Sequence, residues 1–470
     1  MRSDLPRSAS NAGSLARALL FGLLLFGGAL LASRALVLTQ LHYALGFVAA
    51  GAVFLLVFVR TEVGLYLAIL SMLLSPEFVL GGRGALAEGR EVVLRAEDLL
   101  LIVIAFSWFA KTAVNKELGL VQKTPLNGPI LAYVVATLFA TLVGYMTGTV
   151  KTAAGFFYVL KYMEYFVVYY MVVNNVQDRA QAWRLVGVAF VTAAIVSLIG
   201  IAQIPSGQRV SAPFEGESGE PNTFGGYLLL MMALAAGLAL DAGPRWVRFT
   251  ATGLVGLMLV PFLYTQSRAS YLGFLPAYLT LIALSRRRRL AIGVLLVGIL
   301  VGAIFLPVPV HKRIMETFQE QAYQPVVRIG QVGFDPSTSE RLLAMKSAFE
   351  GWTKRPILGY GVTGYHFMDT QYFRTLVETG VIGIAGFLYL LWIVWRSALQ
   401  TYRRVEDPTF RALAAGFLAG YVGILVHALG SNSFIIIRIM EPFWLFTGLL
   451  IVWPGLAPAA GPLGPARPRS

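Results

Sequence analysis

The chain has 470 residues, 57% hydrophobic and 13% charged, with a formal net charge of +14 and no cysteine. A soluble protein of this size carries about a quarter charged residues, so the composition excludes an ordinary soluble globular protein. The missing thiols exclude disulfides, thiol nucleophiles and Cys-ligated zinc or iron–sulfur centres.

About fourteen apolar runs follow one another, near 15–33, 41–59, 61–79, 97–114, 127–146, 153–173, 182–204, 223–240, 249–266, 269–285, 290–308, 376–395, 411–429 and 434–453. A hydrocarbon core about 30 Å thick needs about 20 helical residues at 1.5 Å each. Backbone in lipid must satisfy its own hydrogen bonds, so these runs predict helices. The fold class expected is all-α, a polytopic membrane protein of about 12–14 spans. The N-terminus, with Arg2, Arg7 and Arg17 before LLFGLLLFGGALLAS, resembles a signal peptide and reads as an uncleaved first helix. The third span is interrupted by Pro76 and Glu77. The segments fall into 1–124, N-terminal helices; 125–308, a core with an outer loop at 205–222; 309–375, a long loop; 376–455, C-terminal helices; and 456–470, a disordered Pro/Gly-rich tail.

With the N-terminus inside, Arg60, the stretch Lys111 to Lys123, the run Arg286 to Arg289 and the stretch Arg396 to Arg411 all fall on the cytoplasmic side, as the positive-inside rule requires. The basic charge is therefore topological and does not point to nucleic acid. Three segments then face outward: Pro76–Arg95, Pro205–Asn222 and Pro309–Phe373. In the last, Ser337 and Glu340 stand at capping-box spacing, and Leu342, Met345, Phe349 and Trp352 recur at helical spacing. Pro356 ends that helix, and GYGVTG follows. This Gly run resembles a phosphate loop only superficially, because no strand–loop–helix context surrounds it.

Arginines at the outer edge carry the chemical signal. Arg209 lies in PSGQRVSAPFEGESGEPNTFGGYL, Arg268 in YTQSRASYLG between two spans, Arg341 opens the loop helix, and Arg374 adjoins the next span. Arginine near bilayer depth costs several kcal/mol by insertion scales, and it faces a wet site or a partner. Guanidinium forks suit phosphate. Arg209, Arg268 and Arg341 are the candidates for a phosphate-bearing ligand, while Arg374 reads as snorkelling or paired with an acid. A hydroxyl acceptor also needs a base, for which Asp369, His366 and Glu378 are the candidates, although Glu378 equally suits a bond to local backbone. Glu215, Glu217 and Glu220 are further acids nearby. Lys161 and Glu164, and again Arg438 and Glu441, stand at i, i+3 inside single spans and are expected to neutralise each other. His427 reads as a packed or interfacial residue.

Three segments, in order, resemble the O-antigen ligase and O-antigen polymerase superfamily. They are the Arg loop with its Pro-Asn helix entry, RVSAPFEGESGEPNTFGGYLLL; the Ser-Arg of TQSRASYLGFL; and the long loop ending in RPILGYGV and VETGVIG. The resemblance covers about residues 125–450 and implies a GT-C-like, outward-facing glycosyltransferase of the bacterial inner membrane. It implies a donor glycan on undecaprenyl diphosphate, no cofactor and no metal, with Arg209 and Arg268 on the diphosphate. Ligases of the family carry His-Asn where this chain has Asp369–Thr370, a departure that favours a polymerase of O-antigen or exopolysaccharide. A ligase acting on lipid A-core or protein is the alternative, with His366 substituting in space. A chain-length regulator and a flippase are the partner candidates beside the lipid bilayer. Of another class is a transporter of a small solute or lipid, suggested by the Lys161–Glu164 pair. Transporters, however, gather binding residues near the midplane on broken, repeated helices.

Overall fold

The computed structural model describes residues 41–75, 77–79, 93–114, 122–152, 154–214, 219–318, 327–329 and 332–457. It is an all-α polytopic membrane protein. Among the described residues nine helices are long and apolar enough to cross a membrane, and Val48–Val59, Thr61–Leu74 and Arg268–Leu284 are shorter apolar stretches. The expected span at 15–33 lies outside the described residues. The third span is shorter than its apolar run suggests. Its helix stops at Leu74, and Glu77–Val79 pairs as a strand with Val93–Arg95, because Pro76 supplies no N–H to continue the turn.

The chain divides into two compact units. The smaller comprises residues 1–64 and 102–118. In it α1 (Leu41–Val59) meets the second part of α3 (Ala96–Val114), where Ser107 Oγ donates to the Phe54 carbonyl at 2.9 Å and Phe54 packs on Phe106. Lys111 Nζ donates to Thr61 Oγ1 at 3.0 Å, at the start of α2 (Thr61–Leu74).

The larger unit holds the rest. Its helices are α4 (Asn127–Met146), α5 (Ala154–Asn175), α6 (Arg179–Gln203), α7 (Pro221–Asp241), α8 (Arg245–Tyr264), α9 (Arg268–Leu284), α10 (Arg288–Phe305), α11 (Val308–Met315), α12 (Pro336–Lys354), α13 (Gln371–Arg404), α14 (Pro408–His427) and α15 (Ile437–Val452). Helix α7 is buried almost all round. It can be, because small residues let backbones approach: Cβ atoms at Gly237 and Gly416 would collide with the Ala412 and Ala233 carbonyls of the facing helix. A Cβ at Gly273 of α9 would likewise strike the Gly423 carbonyl of α14. Trp444 of α15 stacks among Tyr165, Phe166 and Tyr169 of α5. Helix α10 lies at the other extreme, with Leu296, Ile299, Leu300 and Ile304 exposed, which suits lipid and not water.

The charges within the spans reach beyond their own helices. Lys161 pairs with Asp98 of α3 at 2.9 Å, and its charge also acts on Glu164 of its own helix. Arg438 also reaches beyond α15, donating to the carbonyls of Pro213 at 3.1 Å and Ser75 at 3.4 Å.

Helix α13 is broken at Gly380 (φ 63°, ψ −166°), and the PILGYG segment is spliced into the gap. Val381 and Ile382 donate to the carbonyls of Pro356 and Ile357 at 2.8 and 3.4 Å. In return Tyr360 and Gly361 donate to the carbonyls of Val377 and Glu378 at 3.0 and 2.8 Å. One loop thus satisfies two donors and two acceptors that the helix interruption frees. The other side of that loop rests on the end of α4 and the turn after it: Thr149 Oγ1 donates to the Tyr360 carbonyl at 2.7 Å, and Gly144 leaves the space.

The Gly380 conformation is essentially restricted to glycine and costs other residues about 1–3 kcal/mol. A Cβ there would also strike the Ile357 carbonyl. Gly380→Ala is therefore expected to lower the thermal midpoint of the detergent-purified protein by several degrees and to reduce its abundance. Gly298→Ala, with nothing within 4 Å of the new methyl, is the control. Equal midpoints for the two variants would contradict the splice.

Candidate functional site

Several connections meet at one end of the larger unit. Val210 of the 204–220 loop donates to the Tyr264 carbonyl at the end of α8 at 3.0 Å. Gln371 at the start of α13 donates to Ala428 at 3.1 Å, and Asn432 Nδ2 donates to the Met368 carbonyl at 2.8 Å. Arg438 joins the 204–220 loop to α15, and Thr149 joins the α4–α5 turn to the Gly-rich loop.

The two sequence motifs flanking α7 and α9 form a latch. Pro221 begins α7, and the Asn222 side chain accepts from Ser267 Oγ at 2.8 Å. Ser267 caps α9, accepting from the Ser270 N–H, while Ser270 Oγ donates to Ser267 Oγ at 2.8 Å. Gly225 makes room for Ser270. The turn before the cap passes through Gln266 at φ 50°, a left-handed position uncommon for a side-chain-bearing residue. This tight turn aims two carbonyls at Arg209, whose Nε and Nη2 donate to Thr265 and Gln266 at 3.0 and 3.2 Å. Arg209 and Arg268, from separate hairpins, are thereby brought side by side.

Arg268 Nη1 pairs with Asp335 Oδ2 at 2.6 Å, and its Nε points to the Arg313 carbonyl at 3.5 Å. Asp335 also caps α12, accepting from the Thr338 N–H at 3.3 Å. The loop helix thus begins at Pro336 under an Asp335 cap and not at the Ser337–Glu340 box. Its expected apolar stripe is only partly inward, since Phe349 is half exposed while Ser339, Ala348 and Gly351 are buried. Arg341 lies on the inner side and donates to Ser337 Oγ at 3.0 Å.

Three buried guanidinium nitrogens of the cluster lack a hydrogen-bond partner, Arg268 Nη2, Arg313 Nε and Arg341 Nε, as do Arg179 Nε, Arg374 Nη1 and Arg438 Nε elsewhere. Burial, then the charge of Arg313, with Arg268 and Arg341 behind it, pushes the Arg209 guanidinium down to about 10. Burial foremost also lowers Arg341, against the opposing charge of Asp369. Burial pushes the Asp335 carboxyl up, but its bonds from Thr338 and Arg268 prevail and hold it below the usual carboxylate range. Its pair with Arg268 thus persists at neutral pH and dissolves only as pH falls through that depressed value.

The three candidate bases are separated. Asp369 is half-buried, accepts from Asn432 Nδ2 at 3.3 Å and sits within the field of Arg341. His366 is exposed, its ring tilted against that of Tyr365 at 4.2 Å between centroids. Glu378 is buried in a 3.1 Å pair with Arg374 and accepts the Thr363 N–H at 3.2 Å, so it holds the Gly-rich loop. Arg374 is thus paired with an acid, the structural role expected of it. Glu220 accepts from Thr223 Oγ1 at 2.9 Å, while Glu215 and Glu217 lie outside the described residues.

Sequence reasoning missed Arg313 and Asp335, which sit in the long loop where charged residues ordinarily read as solvated. It also missed Asn432, whose only local signal is a polar residue between two spans. His427 is fully buried, its Nδ1 bonded to Ser433 Oγ at 2.6 Å, in keeping with a packed residue. Among the described residues no three His, Asp or Glu side chains group as metal ligands would.

Fold and site together define a multi-pass membrane protein with a basic, partly buried site at one end of its bundle. Residues 253–388 match the family model described as O-antigen ligase, which supports the O-antigen ligase and polymerase superfamily for this chain. The match runs from within α8 to the first half of α13, and includes Arg268, Arg313, Asp335, Arg341 and Asp369 but not Arg209. No curated protein matches the chain.

Removing one partner of a buried ion pair costs about 3–5 kcal/mol. Glu378→Gln is therefore expected to lower the amount and thermal stability of folded protein, and Asp369→Asn to change both little. Normal thermal stability in Glu378→Gln would release Glu378 from its structural role and return it to the candidate bases.

Proposed function

We propose that the chain is a polysaccharide polymerase that transfers a glycan from undecaprenyl diphosphate to a lipid-linked acceptor glycan. Arg209 and Arg268 hold the diphosphate, Arg341 assists, and Asp369 accepts the proton of the attacking hydroxyl. The acceptor oxygen bonds to the sugar carbon as the sugar–diphosphate bond breaks, and the bonding pair leaves with the diphosphate. Guanidinium groups stabilise the charge that develops there, and the reading assigns no role to a metal. The observation that carries it is the meeting of Arg209, Arg268 and Arg341 with Asp369 at one end of the bundle.

A second reading, ligation to lipid A-core or protein, is favoured by the description of the matching family model. It keeps the same donor and changes the acceptor. The active site facing the periplasm and placement in a bacterial inner membrane belong to both readings. A transporter gains no support from the family match.

Removing one preorganised donor typically costs about 100- to 1000-fold in rate, and removing a positioned base about 100- to 10,000-fold. In a strain lacking the gene, complementation with Arg268→Ala or Asp369→Asn is expected to leave single lipid-linked units accumulating, measured by mass spectrometry of lipid-linked glycans. Long polymer retained on its lipid carrier would identify the ligase instead. Normal chain lengths at normal protein abundance in both variants would remove the proposed chemistry.

A further inference from the structure

We propose that Arg313 is a fourth guanidinium of this anion site, binding the donor diphosphate beside Arg209, Arg268 and Arg341; the inference rests on the diphosphate reading above. Arg313 lies on α11, a short helix whose Val308, Ile314 and Met315 are exposed and whose Val310 is buried. Both its backbone and its side chain reach the cluster. The carbonyl faces Arg268 Nε at 3.5 Å, and of the neighbouring guanidinium charges that of Arg313 acts most strongly on Arg209.

The side chain is only loosely occupied. Its ion-pair partner is Glu316, three residues on, at 3.5 Å and 30% exposed. Glu316 is also shared with Lys312 at 3.9 Å. The contact is long and the carboxylate is shared, so a phosphate oxygen can displace it from Arg313. A merely solvated arginine would keep all its nitrogens in water, yet Arg313 Nε is buried with no partner. An anion entering the cluster would satisfy it.

Charge points the same way. Among the described residues, Arg209, Arg268, Arg313 and Arg341 outnumber the acids beside them, Asp335, Asp369 and Glu316. An anion relieves the crowding of like charges, whereas a neutral sugar alone does not. A diphosphate diester carries two negative charges and offers oxygens enough for several forks.

The test uses the full chain purified in a non-ionic detergent, with inorganic pyrophosphate as probe and calorimetric titration as readout. Arg313→Gln is expected to weaken binding about tenfold or more, the scale of a lost hydrogen bond to a charged group. Arg313→Lys, which keeps the charge and loses the fork, falls between. Glu316→Gln removes the competing carboxylate and is expected to tighten binding a few-fold, a gain that a purely structural Arg313–Glu316 pair would not give. Thermal midpoints without ligand identify any variant that fails to fold, in which case Arg313→Lys and Glu316→Gln decide. Binding by folded Arg313→Gln within twofold of wild type, while Arg268→Gln loses tenfold, overturns this inference and leaves the site standing. No pyrophosphate binding by wild type, or none of it lost in Arg268→Gln, sinks both.

Discussion

The arrangement of the site hangs on the break in α13. A membrane helix cannot leave backbone groups unpaired in lipid, so an interruption needs a partner that supplies both donors and acceptors. The PILGYG loop supplies two of each around Gly380. That splice fixes where the helix turns, and the residues ahead of it, Asp369 to Glu378, become a rigid entry segment. The loop is in turn the end of the connection that carries Arg313, Asp335 and Arg341. Gly359, Gly361 and Gly380, all at positive φ, make room for the close backbone contact. The Arg374–Glu378 pair beneath and the Tyr360 contact with Thr149 beside it hold the same loop from two more directions.

On this frame the arginines gather with few counter-charges. Bringing guanidinium groups together out of water is unfavourable, as the depressed Arg209 and Arg341 show. The folded chain offsets part of the cost through carbonyls at Thr265 and Gln266 and through Asp335. It leaves three buried guanidinium nitrogens unsatisfied. An arrangement that stability alone would disfavour is the kind expected where an anion completes the hydrogen bonding.

Much of this was legible from the residues. Run length and hydrophobicity are local properties, so the spans at 41–59, 127–146 and 182–204 correspond closely to α1, α4 and α6. Arg268 stood out because a turn between spans needs no guanidinium. Arg313 did not, since a basic residue in a polar loop has no local peculiarity. Glu378 and Asp369 look alike as acids near a helix entry. Only packing distinguishes them, by burying one against Arg374 and setting the other beside Arg341 and Asn432. Lys161 shows the same limit: i, i+3 spacing points to Glu164, while Asp98 of a neighbouring helix, which the spacing cannot reveal, lies 2.9 Å away.

By itself the sequence determined a polytopic helical membrane protein, the ends at which its charges collect, and the order of the Arg209, Arg268 and Gly-rich segments. Those follow from apolar run length, from the cost of charge in hydrocarbon and from glycine's freedom of backbone. The tertiary structure alone decided which loops return to one end, which acid stands with the arginines, and that Arg313 and Asp335 join them. These depend on contacts between residues far apart in the chain, where a side chain's partner is set by the packing of whole helices and not by its neighbours in sequence.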